Sequence, residues 1–393
     1  MTTPPFTTIE QAFALAKRRL PPSIYRKMVN QGLDGRDLAI RENERVFDDL
    51  LFEPRACAVH PRRDLTTTVL GRPVDLPVLL SAPGGSRIYH PAGEPAVAAA
   101  AGAAGTVNVM SMSHGHTIEE VRAAAPDARL WQQVYLSLGR EAAEELIGRA
   151  QGVGCEALML TVDFLALPEA HQADVARMTR QNVRRYGVEA VRRPRWLAGY
   201  LRDAYAQRDI PEVELRPTAG GGSAARLRTG LPGPGTQISP TWADFDWINE
   251  AWDGPLVIKG ILSADDAKRA LDVGADAIVV SNHGGVGLSS VPSSLSRLGT
   301  VLDAVDGRAE VYLDSGVRRG SDVVKALALG ARAALIGRPY MMGLAVAGQA
   351  GVEQVLSIFR REIDMVLANI GCPSVAELDG SYLVVPDGWR GRG

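Results

Sequence analysis

The stretch PLVIKGILSADDAKRALDVGADAIVVSNHGG, residues 255–285, holds a complete strand–helix–strand unit. Its flanks, 255–260 and 277–282, are short apolar runs rich in Val and Ile, as expected of strands buried on both faces. Residues 263–273 between them read as a helix. The second strand runs out into Ser281-Asn282-His283-Gly284-Gly285. A histidine at the mouth of a buried strand is placed for acid–base work, because imidazole titrates near neutral pH and the glycines let a ligand approach the backbone. A satisfied histidine in a turn is the plainer alternative, and the rest of the chain has to decide.

Working outward, the same unit repeats. Strands are expected at 76–82, 107–112, 130–135, 156–163, 255–260, 277–282, 310–314 and 333–337. Helices are expected at 94–104, 117–125, 140–152, from Thr241 to Trp252, and at 263–273, 293–305 and 319–329, with a further helical region at the end. This βα order makes a parallel sheet, and eight units of roughly 250 residues close into a (β/α)8 TIM barrel. The expected barrel spans 74–368 within a single domain covering 1–393. An open doubly wound sheet is the alternative, but nothing resembles its GxGxxG fingerprint. Residues 1–73 form an N-terminal helical extension. There Thr8 caps IEQAFALAKRRL, Pro21-Pro22 ends that helix, and Ser23 opens a second one carrying Tyr25. The stretch 170–240, after the fourth strand, is rich in Arg, Gly and Pro and too long for a plain connection. It reads as an active-site lid or a partly disordered loop.

Composition narrows the function. With 393 residues, a formal net charge of −2 and 46% hydrophobic residues, this is the profile of an ordinary soluble protein. The charge balance gives no reason to expect nucleic acid or an anionic membrane as partner. Cys57, Cys155 and Cys372 are widely spaced and form neither a metal pattern nor a disulfide framework. That points to a reducing compartment, the cytoplasm, and to no metal. The N-terminus lacks a signal-peptide pattern, and no apolar run is long enough to span a bilayer.

In such a barrel, chemistry sits where the strands end. Those ends carry, in order, Ala82-Pro83-Gly84-Gly85, Ser111, Gln133 with Tyr135, Thr161 with Asp163, Lys259, Ser281 with His283, Asp314-Ser315-Gly316 with Arg318, and Gly337-Arg338. Polar groups ending buried strands are costly unless they meet a ligand or each other. They divide into three sets. Gly316, Gly337, Arg338 and Arg318 follow the last two strands, where many barrels bind phosphate on glycine amides and a guanidinium. Ser111, Gln133, Thr161 and Lys259 make a polar line able to hydrogen-bond a flat heteroaromatic ring, with the lysine against an anionic, reduced form. His283 and Asp163 are a base and its orienting carboxylate. Each residue also has a plainer reading: Asp163 as a helix cap, Lys259 in a barrel-interior ion pair, Gly316 and Gly337 as turn residues.

Tyr25, SAPGG (81–85), QVY (133–135), LTVD (160–163), VIKG (257–260), SNHGG (281–285), LDSGVRRGSDVVKALALGA (313–331) and IGRP (336–339) together resemble the FMN-dependent α-hydroxy-acid oxidising enzymes. That family includes glycolate oxidase, the L-lactate dehydrogenases and mandelate dehydrogenase, and the resemblance covers about residues 8–380. It implies FMN as cofactor. It places residues 82–85 along the isoalloxazine near N5, with Ser111, Gln133 and Thr161 on the ring and Lys259 by N1 and O2. It assigns Asp314, Gly316, Arg318, Gly337 and Arg338 to ribityl and phosphate, and counts Ser281 with the cofactor set. It makes His283, paired with Asp163, the base that takes the substrate proton, with Tyr135 and Tyr25 beside it. Oxygen or another carrier would reoxidise the flavin, and a homotetramer is the usual assembly.

The sequence also departs from that pattern. The family grips a substrate carboxylate with two arginines and a tyrosine. Three residues after the catalytic histidine, where the family has arginine, stands Val286; the second arginine corresponds to the stretch with Glu169-Ala170. The aromatic after the second strand is replaced by Ser113, followed by His114 and His116. A buried carboxylate without charged donors costs several kcal/mol. The substrate expected here is therefore neutral or carries an amine, and is larger than lactate. Arg87, Arg177 or Arg180 could instead supply a relocated clamp, which would make this an ordinary 2-hydroxy-acid oxidase. A flavin-binding protein that has lost turnover is the third reading. LAKRRLP, RRDLTTTVLG, VRRPRWL, RRGSDVVKALALGARA and GLAVAGQAGVE resemble the mycofactocin-maturation branch of the family, whose substrate is a peptide-derived cyclic amine. That branch has asparagine where this chain has Val286.

Overall fold

The computed structural model describes residues 5–29, 36–137, 139–165, 187–207, 239–386 and 389. Eight parallel strands, numbered here in chain order, close into a barrel. They are β1 Val78–Leu80, β2 Val107–Met110, β3 Arg129–Val134, β4 Ala157–Thr161, β5 Leu256–Ile261, β6 Ala277–Val280, β7 Glu310–Leu313 and β8 Ala333–Ile336. Each pairs with the next in sequence, and β8 returns to β1 in the register Ala334↔Val78, Leu335↔Leu79, Ile336↔Leu80. The architecture is the (β/α)8 barrel that the repeated strand–helix pattern predicts.

Side chains of a strand alternate between two faces, and here the faces feed separate cores. Leu79, Val109, Trp131, Met159, Val257, Val279, Tyr312 and Leu335 pack with one another inside the barrel. Leu80, Met110, Leu130, Leu158, Ile258, Ile278, Leu313 and Ile336 face the helical layer. A hairpin, Thr67–Val69 with Arg72–Val74, closes the N-terminal end by adding Val69 and Val74 to the inner cluster. Two residues further along most inner faces come Ser111, Gln133, Thr161, Lys259, Ser281, Asp314 and Gly337. The barrel interior is thus apolar below and polar at its C-terminal end.

The N-terminal extension forms helices Ile9–Arg19, Pro22–Val29 and Leu38–Arg45. Thr8 caps the first, its side chain accepting from the Gln11 amide. The second begins at Pro22 rather than at Ser23. Proline suits the first helical position because its fixed φ is helical and it has no N–H to leave unpaired. The terminal region is two helices, Arg338–Ala347 and Gln349–Ile370, separated at Gly348. Of the expected lid at 170–240, the described part is 187–207, containing helix Pro194–Gln207, and residues 239–240. The rest lies outside the described residues. Helix Pro194–Gln207 is tied to the barrel mouth. Trp196 Nε1 donates to Ile88 O at 2.9 Å, and buried Arg87 pairs with Asp203 at 2.7 Å. Just before it, Arg193 Nε donates to Leu20 O, and Glu189 accepts from both the amide and hydroxyl of Ser23. No helix among the described residues is long and apolar enough to cross a membrane.

Candidate active site

His283 stands just beyond the fully buried β6, in a short 3-10 turn, His283–Gly285. Its φ is +59°, a region a non-glycine residue enters at a cost of order 1–3 kcal/mol. The surroundings hold it there. Its amide donates to Ser281 Oγ at 3.1 Å, Gly284 N donates to Ser315 Oγ at 2.9 Å, and Gly285 N donates to Asn282 Oδ1 at 3.1 Å. Asn282 exchanges two side-chain hydrogen bonds with Asn43, each 2.8 Å, so the extension helix Leu38–Arg45 pins the turn from outside the barrel.

The imidazole is gripped on both nitrogens. Nδ1 lies 2.8 Å from Asp163 Oδ1, and Nε2 lies 3.3 Å from the Tyr135 hydroxyl. Burial alone would push Asp163 up, but His283 and then Lys259 hold it below its usual range, so it stays ionised. An ionised partner at Nδ1 keeps the proton on that nitrogen and leaves Nε2 able to accept one. Burial, and then the Asp163 charge, push the Tyr135 phenol far above its usual value, so it remains neutral. Asp163 Oδ2 is buried with no hydrogen-bond partner among the described residues. The carboxylate reaches this position because β5 bulges after Lys259 at Gly260, whose φ is +114° and where a Cβ would lie 2.5 Å from Asp163 Cβ.

The polar layer below is internally bonded. Gln133 Nε2 donates to Thr161 Oγ1 at 3.2 Å and its Oε1 accepts from Met112 N at 3.1 Å. Ser111 Oγ accepts from the Ser113 amide. Lys259 donates to Ser281 Oγ at 2.7 Å and pairs with Asp314 at 3.1 Å, all buried. Burial would lower the ammonium, but Asp314 and Asp163 hold it above the ordinary lysine value. The interior ion pair offered as a plainer account of Lys259 is therefore present, and it leaves a fixed cation in the floor of the mouth. Beside β1, Ala82 packs on the inner cluster, Pro83 lies across from Gly337, and Gly85 N donates to Ser113 O at 2.9 Å. A Cβ on Gly84 would lie 2.9 Å from that of Ser113.

After β8, Arg338 Nη2 donates to Gly284 O at 2.9 Å and Nε to Met28 O at 3.0 Å. Burial, and then the charge of Arg318, push its guanidinium down to about 10. A cation so desolvated, facing a second cation, is stabilised by a bound anion, and Arg338 stands at the N-terminus of helix Arg338–Ala347, the end of a helix that favours anions. Arg318 meanwhile pairs with Glu44 at 2.7 Å. Gly316 is accounted for by packing: its φ is +88°, and a Cβ would stand 1.9 Å from Asn43 O. A polar line able to bond a flat ring, a lysine beside it and a buried arginine at a helix N-terminus fit the ring and phosphate of FMN. Among the described residues no group of His, Cys, Asp or Glu could hold a metal ion.

On the substrate side, Tyr25 is half-buried on helix Pro22–Val29, whose Met28 carbonyl Arg338 holds. Val286 ends the His283 turn and Ser113 follows β2. Glu169, Arg177 and Arg180 lie outside the described residues. Arg87, a possible relocated clamp, is buried on Asp203. Two residues of the site carry no sequence signal of their own. Asn43 acts across 239 residues, and Phe164, next to Asp163, places its ring 5.1 Å from that of His283.

A parallel barrel with this mouth defines a flavin-dependent oxidoreductase. Residues 16–385 match the family model described as FMN-dependent dehydrogenase, and the chain belongs to that family. Its cofactor is FMN. The chain is 41% identical over 399 residues to pre-mycofactocin synthase of Mycobacterium tuberculosis, covering 98% of this chain and 96% of the relative. It is 38% identical over 353 residues to L-lactate oxidase of a Nostoc species, covering 89% and 90%. A crystal structure of the monotopic membrane protein (S)-mandelate dehydrogenase superposes with a TM-score of 0.85 at 31% identity, covering 97% of this chain and 100% of that one.

Proposed function

We propose that this enzyme oxidises a C–H bond next to a hydroxyl or amine on a substrate without a carboxylate, a natural-product or peptide-derived intermediate. The observation that carries the reading is Val286, an apolar side chain on the same turn as His283, where the family grips carboxylate with arginine. FMN, when bound, supplies the two-electron acceptor. His283 Nε2 takes the proton from the substrate hydroxyl or amine, and Asp163 stabilises the imidazolium that forms. Tyr135, neutral and 3.3 Å from Nε2, orients the substrate heteroatom. Ser111, Gln133, Thr161 and Lys259 hold the ring, with residues 82–85 and Ser281 alongside. Arg338 and the Gly337 amide hold the phosphate, with Asp314, Gly316 and Arg318 nearby. The 41% identity to a relative named for making pre-mycofactocin supports a peptide-derived substrate. A homotetramer, reoxidised by oxygen or another carrier, completes the reading.

The deciding experiment is anaerobic bleaching of the bound flavin by a panel of hydroxy acids, neutral alcohols and cyclic amines. Bleaching by neutral alcohols or amines is expected. Bleaching by lactate, glycolate and mandelate alone would overturn the reading.

A further inference from the structure

Where a charged clamp would close on the substrate, this chain places rings and gaps. Phe164 follows Asp163 directly. Its ring centroid is 5.1 Å from that of His283, tilted by 44°, and 6.5 Å from that of Tyr135. The Tyr135 and His283 rings stack at 6.4 Å. Two rings, those of Phe164 and Tyr135, therefore flank the imidazole. Phe164 is held at its backbone from both sides by one buried hydroxyl. Ser239 Oγ accepts from Phe164 N at 3.2 Å and donates to Phe164 O at 3.0 Å. That fixes the ring's starting point while leaving the ring itself half-buried.

Opposite Phe164 is Gly287, the residue after Val286. Among the described residues the atoms nearest a Cβ at Gly287 would be Phe164 Cδ2 at 3.9 Å, ordinary contact distance, and Asp163 O and Phe164 Cε2 at 4.0 Å. Gly287 is not among the glycines at positive φ, so its backbone does not require glycine. What the glycine provides is space beside the ring. The next residues outward on the two segments, Leu165 and Leu288, are exposed. Both walls are thus followed in the chain by an exposed apolar side chain, an arrangement that gains stability when an apolar group covers it.

We propose that Phe164 and Gly287 form the walls of a specificity slot beside His283 that takes a flat, apolar substituent borne on or next to the carbon being oxidised. The proposal deepens the reading given above and rests on His283 marking the reacting carbon. The slot itself is read by binding. The holoenzyme is titrated calorimetrically with benzamide and with acetamide, neutral and unreactive amides that differ in the flat ring. Benzamide should bind at least tenfold tighter, the scale of one well-filled apolar pocket. Phe164→Ala should remove most of that preference, and Phe164→Tyr should keep it. Gly287→Leu, which fills the gap without touching Phe164's own fold, should remove it independently, while acetamide binding stays within twofold. A wild-type preference under twofold, or one that survives both Phe164→Ala and Gly287→Leu, overturns the slot. His283→Ala separates the two readings. It should slow flavin reduction by substrate by about 10²–10⁴-fold yet leave the benzamide preference in place, so loss of either result identifies which reading has failed.

Discussion

The two sides of the barrel mouth are built differently. The side proposed to receive FMN is made from strand ends. Most of its residues come at one fixed step beyond an apolar interior layer, they are cross-bonded, and they carry fixed charge: Lys259 on Asp314, and the buried Arg338 guanidinium. The side proposed to receive substrate is made from turns and extension helices. It offers Val286, Gly287, Ser113 and the rings of Phe164 and Tyr135. His283 stands on the border, with Asp163 behind it. On that reading, cofactor binding follows barrel register, where a one-residue slip would turn every side chain to the other face. Substrate choice is left to segments whose residues can change without disturbing the strands.

The strongest way to break this division is His283→Ala. If His283 is the base, single-turnover anaerobic flavin reduction should slow by about 10²–10⁴-fold, the usual weight of general base catalysis. Flavin content should not change, because the cofactor side is built without the imidazole. Reduction at an undiminished rate would remove His283 from the chemistry. Next in size is Arg338→Ala. It removes the enclosed guanidinium and its bonds to Gly284 O and Met28 O. FMN affinity should fall by about 100-fold, since truncating one member of a buried charge-assisted contact costs roughly 2–5 kcal/mol. Equilibrium dialysis of FMN measures it, and unchanged retention would place the phosphate elsewhere.

The same division explains what could be read from the sequence. Strand ends follow from a period of two and from short Val/Ile-rich runs, so β1 to β8 and the polar residues that end them were legible one after another. Local chemistry does not report long-range meetings. Nothing in the segment around Asn43 says that its amide meets Asn282 across 239 residues and steadies the histidine turn. Gly316 reads as a phosphate glycine, yet the Asn43 carbonyl is what excludes a side chain there. Phe164 reads as one aromatic in a loop, and only closure of the barrel, which sets the ends of β4 and β6 on either side of β5, brings it to His283. Ser23 looked like a cap because serine caps helices in general; Pro22 starts the helix, and the Ser23 hydroxyl goes to Glu189 on the insertion.

A gain of function sharpens the contrast from the substrate side. Val286→Arg should restore part of a carboxylate grip. L-lactate should then reduce the flavin with an apparent Kd at least tenfold lower than in the wild type, as a charge-assisted contact of about 1.5–3 kcal/mol allows. FMN content should be untouched. If the arginine instead strips flavin, the two sides are not separable.

The smallest effect tests the frame on which both sides rest. His90, on the segment after the first strand's loop, is held neutral: burial, and then the nearby Arg19, push its imidazole down to about 4. Its Nδ1 accepts from the Ala92 amide, which only an unprotonated nitrogen can do. In the unfolded chain the same imidazole takes its proton near 6.5. Between those values the unfolded state binds more protons than the folded one, so acid favours unfolding. The contribution of neutral His90 is complete above about pH 6.5 and is lost as pH falls through about 4. Urea midpoints measured across that window should fall with pH in the wild type, and the slope should flatten in His90→Asn, which keeps an acceptor but does not titrate. Because His90 touches neither half of the mouth, flavin content and substrate preference at neutral pH should match the wild type. An equal slope in both proteins would assign the acid sensitivity to other groups.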